Sequence, residues 1–349
     1  MAKKDAPLLI AEEYYQISME ILTSFPKYRL PLPLFIYRQE VGQLQLFIPK
    51  DTKLSNEQVE HMYELCKEGD LFVSRADYPV YSKHIIKQLD LILVDQNLKE
   101  GEIADICVQG LGMRLTNYLD QPVKPVFDLL MQDVLVFTEY ISNDYHRLRL
   151  FMRRLNRTHN LVNHSVNTLI VGLWIYCHDF KSREIRRRDV DRLALGLLLH
   201  DAGMSKVPAF IVDKTTPLKP DEKEKIPPHT LLGGKMAQKT ELGWDELTQA
   251  ALEHHERLNG SGYPRKMSGN QISAVGRLTA VADSFSAMTS NRPYAPAKDF
   301  SKAAQELAAD TTHYDEKYSV PLRNALITNE FGDMPALQPA GEGAPKAGA

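Results

Sequence analysis

The most constraining feature of the sequence is an apolar run at residues 196–199 that ends in His200 and Asp201. The run predicts a buried helix, which would carry both polar side chains into the protein interior. An unpaired charge is very costly in a low-dielectric interior, so the two side chains need partners there. A lone pair of this kind is usually a hydrogen-bonded couple, and a bound metal ion is the alternative.

Further residues of ligating type favour the metal interpretation. Each lies in or beside an apolar helical pattern, and they are His164, His229, His254, His255 and Asp283. Imidazole nitrogens and carboxylate oxygens suit iron, manganese, zinc or nickel. Seven side chains are too many for one tetrahedral ion. Adjacent helix residues project about 100° apart. The two adjacent pairs therefore suit two metals that share a bridging carboxylate, and we predict a dinuclear site.

Longer motifs carry a resemblance to a known family. The doublet of His200 and Asp201 resembles the defining motif of the HD superfamily of metal-dependent phosphohydrolases. Residues 254–264, His-His-Glu-Arg-Leu-Asn-Gly-Ser-Gly-Tyr-Pro, resemble the long motif of its HD-GYP branch, and residues 282–285 and 290–294 match later blocks of that branch. Members of this branch hydrolyse the bacterial second messenger cyclic di-GMP. The resemblance implies the same activity here.

The resemblance also implies a role for each ligand. One ion would be held by His164, His200, Asp201 and Asp283, and the second by His229, His254 and His255, with Asp201 bridging. The expected cofactors are two divalent transition-metal ions, with iron as the first choice and manganese, nickel or zinc as alternatives. A metal-bridging hydroxide would attack the phosphodiester and yield linear pGpG or GMP.

The expected substrate contacts lie in the Gly-Tyr-Pro loop and after the last metal ligand. Gly262 would let the backbone approach the ligand. Tyr263 would hydrogen-bond a phosphate, stack near a base, or only brace the loop, and the resemblance favours a role toward substrate or a protein partner. Asp201 and Tyr263 are the expected catalytic residues. Arg292 matches a phosphate contact of the family, and a guanidinium fork suits phosphate. Helix capping by Arg292 is the alternative.

Four positions depart from the family pattern. Asn160 stands where some members carry a glutamate for a third metal, so two metals are expected rather than three. Met204 replaces a lysine, Ser286 replaces a carboxylate, and Ala295 replaces a basic residue. We therefore expect slow hydrolysis. The alternative is a low-turnover cyclic di-GMP receptor or protein-interaction scaffold. The Gly-Tyr-Pro loop disfavours an HD phosphohydrolase that acts on other nucleotides.

Composition limits the partners and the compartment. The net charge of −3 gives no general attraction to nucleic acid. No apolar run approaches the ~20 residues that cross a bilayer. No signal-peptide core follows the first residues. The three scattered cysteines, Cys66, Cys107 and Cys177, fit a reducing compartment. We expect a cytoplasmic protein without a membrane span and without a nucleic-acid partner.

The expected fold class is mainly α, an all-helical HD-type bundle preceded by a smaller mixed α/β accessory domain and a long connecting helix. The accessory domain, with a sensory or regulatory role, comprises residues 1–120, and the linker and long helix comprise 121–158. The catalytic domain comprises 159–331. Residues 332–349 are rich in Pro, Gly and Ala and should be disordered.

Local patterns predict the elements. Short β-like runs lie at 34–37, 44–48 and 71–73, with helical patterns after Ser55 and at 81–94. The long helical stripe from Phe127 to Leu155 fits either a core helix or a coiled-coil seam, so a homodimer is one alternative. In the catalytic half, patterns predict helices over 161–177, 190–203, 245–257 and 274–289 and a short helix that starts near His229.

Overall fold

The computed structural model of the chain describes residues 13–38, 42–95, 97–179, 181–212, 214, 216, 219–292 and 296–336. The chain divides into two compact units, Met1–Gly110 and Leu111–Ala349. The division lies inside a helix, whereas the prolines of the sequence placed the domain boundary after residue 120. Residues 337–349 of the expected disordered tail lie outside the described residues, as does Ala295.

The first unit is built on a four-stranded antiparallel sheet. Its strands are β1 Tyr14–Gln16, β2 Leu34–Arg38, β3 Gln43–Ile48 and β4 Leu71–Ser74, in the order β1-β4-β2-β3. The alternation of β2 buries Leu34 and Ile36 on one face. The hairpin of β2 and β3 lies where the sequence pattern placed it, with Gly42 at a φ of 65° in the turn. Strand β1 was not predicted.

Short helices complete the first unit. They are α1 Met19–Ser24, α2 Asn56–Glu68 and α3 Tyr78–Ile85, and α4 Glu100–Asp120 runs across the division into the second unit. Ser55 and Gln58 form the predicted capping box of α2. The helical pattern at 81–94 is broken, because α3 ends at Ile85 and a separate 3-10 turn follows at Leu89–Leu93.

The second unit is helical throughout its described part, where only isolated bridges pair extended residues. Its helices are α5 Lys124–Asn143, α6 Leu148–Met152, α7 Leu161–Cys177, α8 Arg187–Leu199, α9 Ala209–Val212, α10 Pro220–Lys223, α11 Pro228–Lys239, α12 Asp245–Glu253, α13 Ala274–Met288, α14 Phe300–Ala309 and α15 Glu316–Ile327. The expected fold class, a helical bundle after a small α/β part, is confirmed. Across the described ranges, none of the helices has the length and hydropathy to cross a membrane.

The predicted long connecting helix is interrupted. Helix α5 ends at Asn143 because Asp144 is extended, and the Asp144 side chain accepts a hydrogen bond from the His146 backbone at the start of a 3-10 turn. The apolar stripe of α5 is buried within the chain, and Phe137 packs edge-on against Phe151 of α6 at 5.0 Å. The stripe therefore belongs to a core helix.

Helix α7 is the central helix of the second unit. Every residue from His164 to Ile175 is buried, which is the pattern of a helix surrounded by protein on all sides. Helices α8 and α13 pack against it. Gly172 allows the close contact with α8, since a Cβ there would lie 2.6 Å from the Leu197 side chain. This packing places His164, in the first turn of α7, deep among the neighbouring helices.

Candidate metal centre

All of the side chains predicted as metal ligands meet among helices α7, α8, α11, α12 and α13. They are His164 in the first turn of α7, His200 and Asp201 directly after α8, His229 at the start of α11, His254 and His255 directly after α12, and Asp283 within α13. Helices α8 and α12 end one residue before their doublets. The sequence had extended both helices through these residues.

The ligands form two groups, within each of which the ligand atoms lie within 4.8 Å of one another. The Asp201 group contains Asp201, His229, His254 and His255, and the His164 group contains His164, His200 and Asp283. The structure thus separates the side chains into two sets of donors, each of which uses only imidazole nitrogens and carboxylate oxygens.

Asp201 lies between the two groups. Its Oδ1 is 3.1 Å from His229 Nε2 and 3.5 Å from His254 Nε2. Its Oδ2 is 3.7 Å from His164 Nε2 and 4.0 Å from His200 Nε2. Each oxygen of one carboxylate therefore faces a different group, which is the arrangement that a bridging carboxylate requires.

Asp283 also reaches toward both groups. Its Oδ1 lies 2.9 Å from His164 Nε2 and 3.8 Å from His200 Nε2. Its Oδ2 lies 4.0 Å from His255 Nδ1. This second contact is not predictable from the sequence, because it depends on how α13 packs against the end of α12.

Main-chain carbonyls orient three of the imidazoles. The rings of His200, His229 and His254 each place Nδ1 within hydrogen-bond distance of a backbone oxygen, that of Leu197 at 2.8 Å, Ile226 at 2.7 Å and Ala250 at 2.9 Å respectively. When Nδ1–H donates to a carbonyl, the lone pair of the neutral ring is on Nε2. In all three residues Nε2 is the atom that faces Asp201. Such carbonyl contacts are the usual support of a histidine that ligates a metal.

The donor set fits a divalent cation. His229 Nε2 and His254 Nε2 are 3.2 Å apart, and both face Asp201 Oδ1. When each Nδ1–H donates to the backbone, the two Nε2 atoms and Asp201 Oδ1 all present lone pairs. These lone pairs repel one another unless a cation or a proton lies between them. Asp201 Oδ1 and His200 Nε2 are buried without a well-formed hydrogen bond among the described residues. A transition-metal ion satisfies these atoms.

The electrostatics of the two carboxylates agree with this fit. Burial by itself would raise their pKa, but the surrounding imidazoles outweigh it and hold the pKa of Asp201 and Asp283 well below the usual range. Burial lowers the pKa of His254 and lowers that of His255 further. Both carboxylates are therefore ionised at neutral pH, and both of these imidazoles are neutral, which are the forms that bind metal.

The pKa values of two further imidazoles that face the carboxylates, those of His200 and His229, shift the opposite way. Burial by itself would lower the pKa of His200 and His229, but the carboxylates beside them raise it. The excess negative charge of Asp201 and Asp283 thus attracts protons onto these rings. A proton and a metal ion compete for the same imidazole lone pairs. The raised pKa of these two rings therefore indicates that the carboxylates favour a positive charge at this position.

Glu256 fixes the Gly-Tyr-Pro loop beside the ligands. Its side chain is only 1% exposed, and its two oxygens accept the backbone N–H groups of Arg265 at 2.7 Å and Met267 at 3.0 Å. Gly262 allows the loop to fold back, since a Cβ there would clash with the His255 carbonyl. Glu256 was not among the predicted site residues, although its place directly after two candidate histidine ligands was a signal.

Tyr263 lies against the Asp201 group. Its ring centroid is 4.7 Å from that of His255, and its backbone N–H donates to the His255 carbonyl at 3.2 Å. Burial, and then the charges of Asp283 and Asp201, raise the pKa of Tyr263. The phenol is therefore protonated at neutral pH and is available as a hydrogen-bond donor.

Arg292 and His159 lie together on the side of the His164 group. The Arg292 Nε atom is buried, and the residue makes no hydrogen bond to the described residues, so no capping bond supports the alternative role. The imidazole of His159 lies 6.0 Å from that of His164, centroid to centroid. Burial, followed by the charge of Arg292, lowers the pKa of His159 to about 4. His159 was not among the predicted site residues.

The positions that depart from the family pattern have structural roles of their own. Asn160 caps α7, where its Oδ1 accepts the Asn163 backbone N–H at 2.8 Å. Met204 lies half-buried in the 3-10 turn that follows Asp201. Ser286 is 1% exposed, and its hydroxyl donates to the Ala282 carbonyl at 2.8 Å within α13. None of these side chains brings a charge to the centre.

Comparison with known proteins agrees with the fold and the centre. Residues 179–318 match the family described as HD domain. A cyclic di-GMP phosphodiesterase of Thermotoga maritima is 32% identical over 196 residues, which cover 56% of this chain and 52% of that protein. A 3'3'-cGAMP-specific phosphodiesterase 3 of Vibrio cholerae is 32% identical over 162 residues, 45% of this chain and 35% of that protein. The chain thus spans about half, or less, of these relatives.

A solved structure shows the same fold. Bd1817, described as an HDG"Y"P protein from Bdellovibrio bacteriovorus, superposes with a TM-score of 0.57 at 14% identity, over 90% of this chain and 100% of that chain. The helical fold and the doublet after α8 define an HD domain. Residues 179–318 thus form an HD domain, and the resemblance to the HD-GYP branch seen in the motifs is confirmed.

Proposed function

We propose that this protein is a metal-dependent phosphodiesterase that hydrolyses cyclic di-GMP to linear pGpG or GMP. The observation that carries the proposal is the position of Asp201, whose two oxygens face two separate groups of ligands. A centre for two ions suits the hydrolysis of a stable phosphodiester. The names of the relatives, which act on cyclic di-GMP or 3'3'-cGAMP, support a cyclic dinucleotide as substrate.

The two groups would hold two divalent transition-metal ions, with iron as the first choice and manganese, nickel or zinc as alternatives. When bound, such ions polarise the phosphodiester and lower the pKa of water, so that hydroxide is present at neutral pH. Asp201 would link the two groups. The backbone carbonyls hold His200, His229 and His254 in place, so these rings need no rearrangement when ions bind.

Substrate would approach from the side of His255. This side chain is 23% exposed and Asp201 is 14% exposed, whereas the other five ligand side chains are at most 8% exposed. Tyr263 stands on this open side with a protonated hydroxyl, and it would donate a hydrogen bond to a phosphate or stack near a base. Gly262 lets the loop backbone come close to the ligand. Arg292 would bind a phosphate oxygen with its guanidinium.

The second candidate is a receptor or scaffold that holds the dinucleotide, or a protein partner through the Gly-Tyr-Pro loop, with little turnover. The hydroxyl of Ser286 favours this second candidate. It is hydrogen-bonded inside α13 and does not replace a carboxylate that transfers protons. Because the two groups of ligands favour hydrolysis and Ser286 supplies no carboxylate, we propose that hydrolysis is slow. The cytoplasm is the proposed setting, and three buried cysteines that form no disulfide fit a reducing compartment.

The proposal is tested by incubating the full chain, loaded with metal under anaerobic conditions, with cyclic di-GMP and with 3'3'-cGAMP. Chromatography quantifies pGpG and GMP, and equilibrium dialysis quantifies bound dinucleotide. The expected result is metal-dependent formation of linear product from cyclic di-GMP. Binding without product would favour the receptor. A protein that holds its metals yet neither binds nor cleaves either dinucleotide would refute both functions.

A further inference from the structure

We infer that His159 is a further substrate-binding residue, which donates a hydrogen bond to the same phosphate group that Arg292 binds. The inference rests on the proposed function, since that phosphate belongs to the cyclic dinucleotide. It adds to the centre a side chain outside the Gly-Tyr-Pro loop and outside the set of metal ligands.

The backbone brings His159 to Arg292. Thr158 and Asn291 form an isolated parallel bridge between the segment that precedes α7 and the segment that follows α13. The His159 N–H donates to the Asn291 carbonyl at 3.3 Å, and the Asn291 N–H donates to the Arg157 carbonyl at 2.7 Å. Two residues far apart in sequence are thus held in neighbouring positions by main-chain hydrogen bonds.

Side chains hold the segment before α7 in place. The Asn163 amide donates to the Thr158 carbonyl at 3.0 Å. Asn167 accepts the Asn156 N–H at 2.9 Å and donates to the Asn156 carbonyl at 2.8 Å. His159 therefore has a position that α7 itself defines, and α7 also carries the ligand His164. A group fixed in this way binds a substrate at little cost in conformational entropy.

Two unpartnered polar atoms point to a ligand. His159 Nδ1 and Arg292 Nε are both buried, and neither has a hydrogen-bond partner in the part of the chain that the structure describes. Buried polar atoms are nearly always paired, so two neighbouring exceptions require an explanation. A guanidinium only donates, and a neutral imidazole as the Nδ1–H tautomer donates as well. The ligand that accepts from both is an anion with several oxygens, and a phosphodiester has that form.

The pair stands close enough to the metal centre to share a phosphate with it. The ring of His159 lies 6.0 Å from the ring of His164, which belongs to the His164 group. A hydrogen bond from His159 would partly compensate for Met204, which brings no charge.

The test uses the full, metal-loaded chain with His159→Ala, His159→Gln, Arg292→Ala and the double alanine variant. His61→Ala is the matched control, because the His61 side chain is 58% exposed on α2. The probes are cyclic di-GMP for KM and kcat and inorganic phosphate for affinity by calorimetry. Metal content and thermal unfolding are measured for every variant.

Loss of a hydrogen bond to a charged group should raise the KM of His159→Ala about 10- to 100-fold, with a smaller change in kcat and unchanged metal content. His159→Gln keeps an N–H donor and should recover part of the affinity. The double variant should lose less than the product of the single losses, because both residues contact one phosphate. His61→Ala should match the unmodified protein in every measurement.

Two results would overturn the inference. One is a KM for His159→Ala within twofold of the unmodified protein with an unchanged phosphate affinity. The other is loss of metal from His159→Ala and His159→Gln, which would make the residue a support of the ligands. The phosphate titration separates the two proposals. If cyclic dinucleotides are not cleaved but both single alanine variants lose phosphate affinity, the phosphate site stands and the proposed function fails.

Discussion

Among single residues, Asp201 has the position on which both groups of ligands depend. Burial would keep its carboxyl neutral, yet the imidazoles around it hold its pKa well below the usual range. An ionised carboxylate that contacts two groups would belong to the coordination of both proposed ions. His255 supplies a nitrogen to the Asp201 group alone.

Asp201→Ala should therefore lose metal from both groups, whereas His255→Ala should mainly empty the Asp201 group. Elemental analysis of anaerobically prepared protein should show about two ions per chain in the unmodified protein, about one in His255→Ala and close to none in Asp201→Ala. His178→Ala, at an exposed position of the same unit, is the control. Full metal content in Asp201→Ala would exclude a bridging role.

Glu256 allows a matched comparison with Glu253. Both carboxylates are buried, but Glu256 accepts two backbone N–H groups, and Glu253 accepts one, from Ser273 at 2.8 Å. An amide has a single acceptor oxygen, so Glu256→Gln leaves one loop N–H unpaired at a cost of about 1–3 kcal/mol. Denaturant unfolding should show a larger loss for Glu256→Gln than for Glu253→Gln.

Hydrogen exchange locates the effect of Glu256→Gln. The amides of residues 262–267 should exchange faster in this variant, because the two N–H contacts fix that loop. Metal content should remain, since Glu256 is not a ligand in either group. Equal losses in Glu256→Gln and Glu253→Gln, with an unchanged loop, would show that the loop is held by other contacts.

Met204→Lys should restore a cation near the substrate phosphate. Met204 is half-buried, and its backbone N–H donates to the Asp201 carbonyl at 2.9 Å, so a lysine there starts beside the centre. A charge-assisted hydrogen bond to phosphate should raise kcat/KM for cyclic di-GMP by about 10- to 100-fold. Steady-state kinetics with Met204→Gln as the uncharged control would test this. Equal rates for the two variants would mean that charge at this position is not limiting.

A charged side chain is harder to introduce at Ser286 than at Met204. The resemblance, which implies a carboxylate at this position, suggests Ser286→Asp as a companion to Met204→Lys. The structure shows Ser286 almost fully buried with its hydroxyl bonded to Ala282. A carboxylate without a partner in that place is costly, so a gain in rate would come with a loss of stability.

At the scale of elements, a glycine sets the distance between the 3-10 turn Ala202–Lys206 and α11. A Cβ on Gly203 would clash with the His229 carbonyl and lie 2.6 Å from Gly233 N. Gly203→Ala should therefore push α11 outward and move His229 away from Asp201. Overpacking of this kind costs about 1–3 kcal/mol. Thermal unfolding and metal content measure the two effects.

Gly112→Ala is the matched control for Gly203→Ala. Gly112 lies within α4, and a Cβ there would meet only Val162, at an ordinary 3.5 Å. Alanine is the better helix former by up to about 1 kcal/mol, so this variant should be at least as stable as the unmodified protein. A Gly203→Ala protein with normal stability and two metals would show that α11 can shift without cost to the site.

Several elements were predictable because their signals are local. Helix α7 lies where its pattern placed it, with Asn160 as its cap, and the capping box of α2 was visible in Ser55 and Gln58. The long connecting helix was not predictable in full. Its apolar stripe continues past Asn143, but Asp144 is extended and caps a new turn, and periodicity alone does not detect that break.

In the candidate site, too, local features were predictable from the sequence and contacts between distant segments were not. The proposed ligands followed from residue types and motif spacing, since His200 and Asp201 or His254 and His255 are neighbours in sequence. The pairing of Asp283 with His255 and of His159 with Arg292 depends on contacts between distant segments. No single sequence pattern encodes those contacts.

At the scale of the whole molecule, all ligands lie in the second unit, between His164 and Asp283. Bound ions would join the ends of α8 and α12 to α7, α11 and α13. A ligand present at about 100 times its dissociation constant stabilises the folded form by about 2.7 kcal/mol per site. Metal should therefore stabilise the second unit in particular.

Removal of metal with a chelator should therefore destabilise the second unit more than the first. Hydrogen exchange with and without a chelator should show faster exchange in α8, α11 and α12 of the metal-free protein, with little change in the strands β1 to β4. The melting temperature of the second unit should fall, and added metal should restore it. Equal changes in both units, or none in either, would contradict a metal centre confined to the second unit.

The carbonyls that orient His200, His229 and His254 determine how these rings respond to substitutions at the residues that supply the carbonyls. A main-chain oxygen is present whatever side chain stands at residues 197, 226 or 250, so no ordinary point substitution deletes these supports. The orientation of these three rings is therefore insensitive to the side chains at those positions, whereas any contact from residue 204 or 286 to a phosphate depends on its side chain.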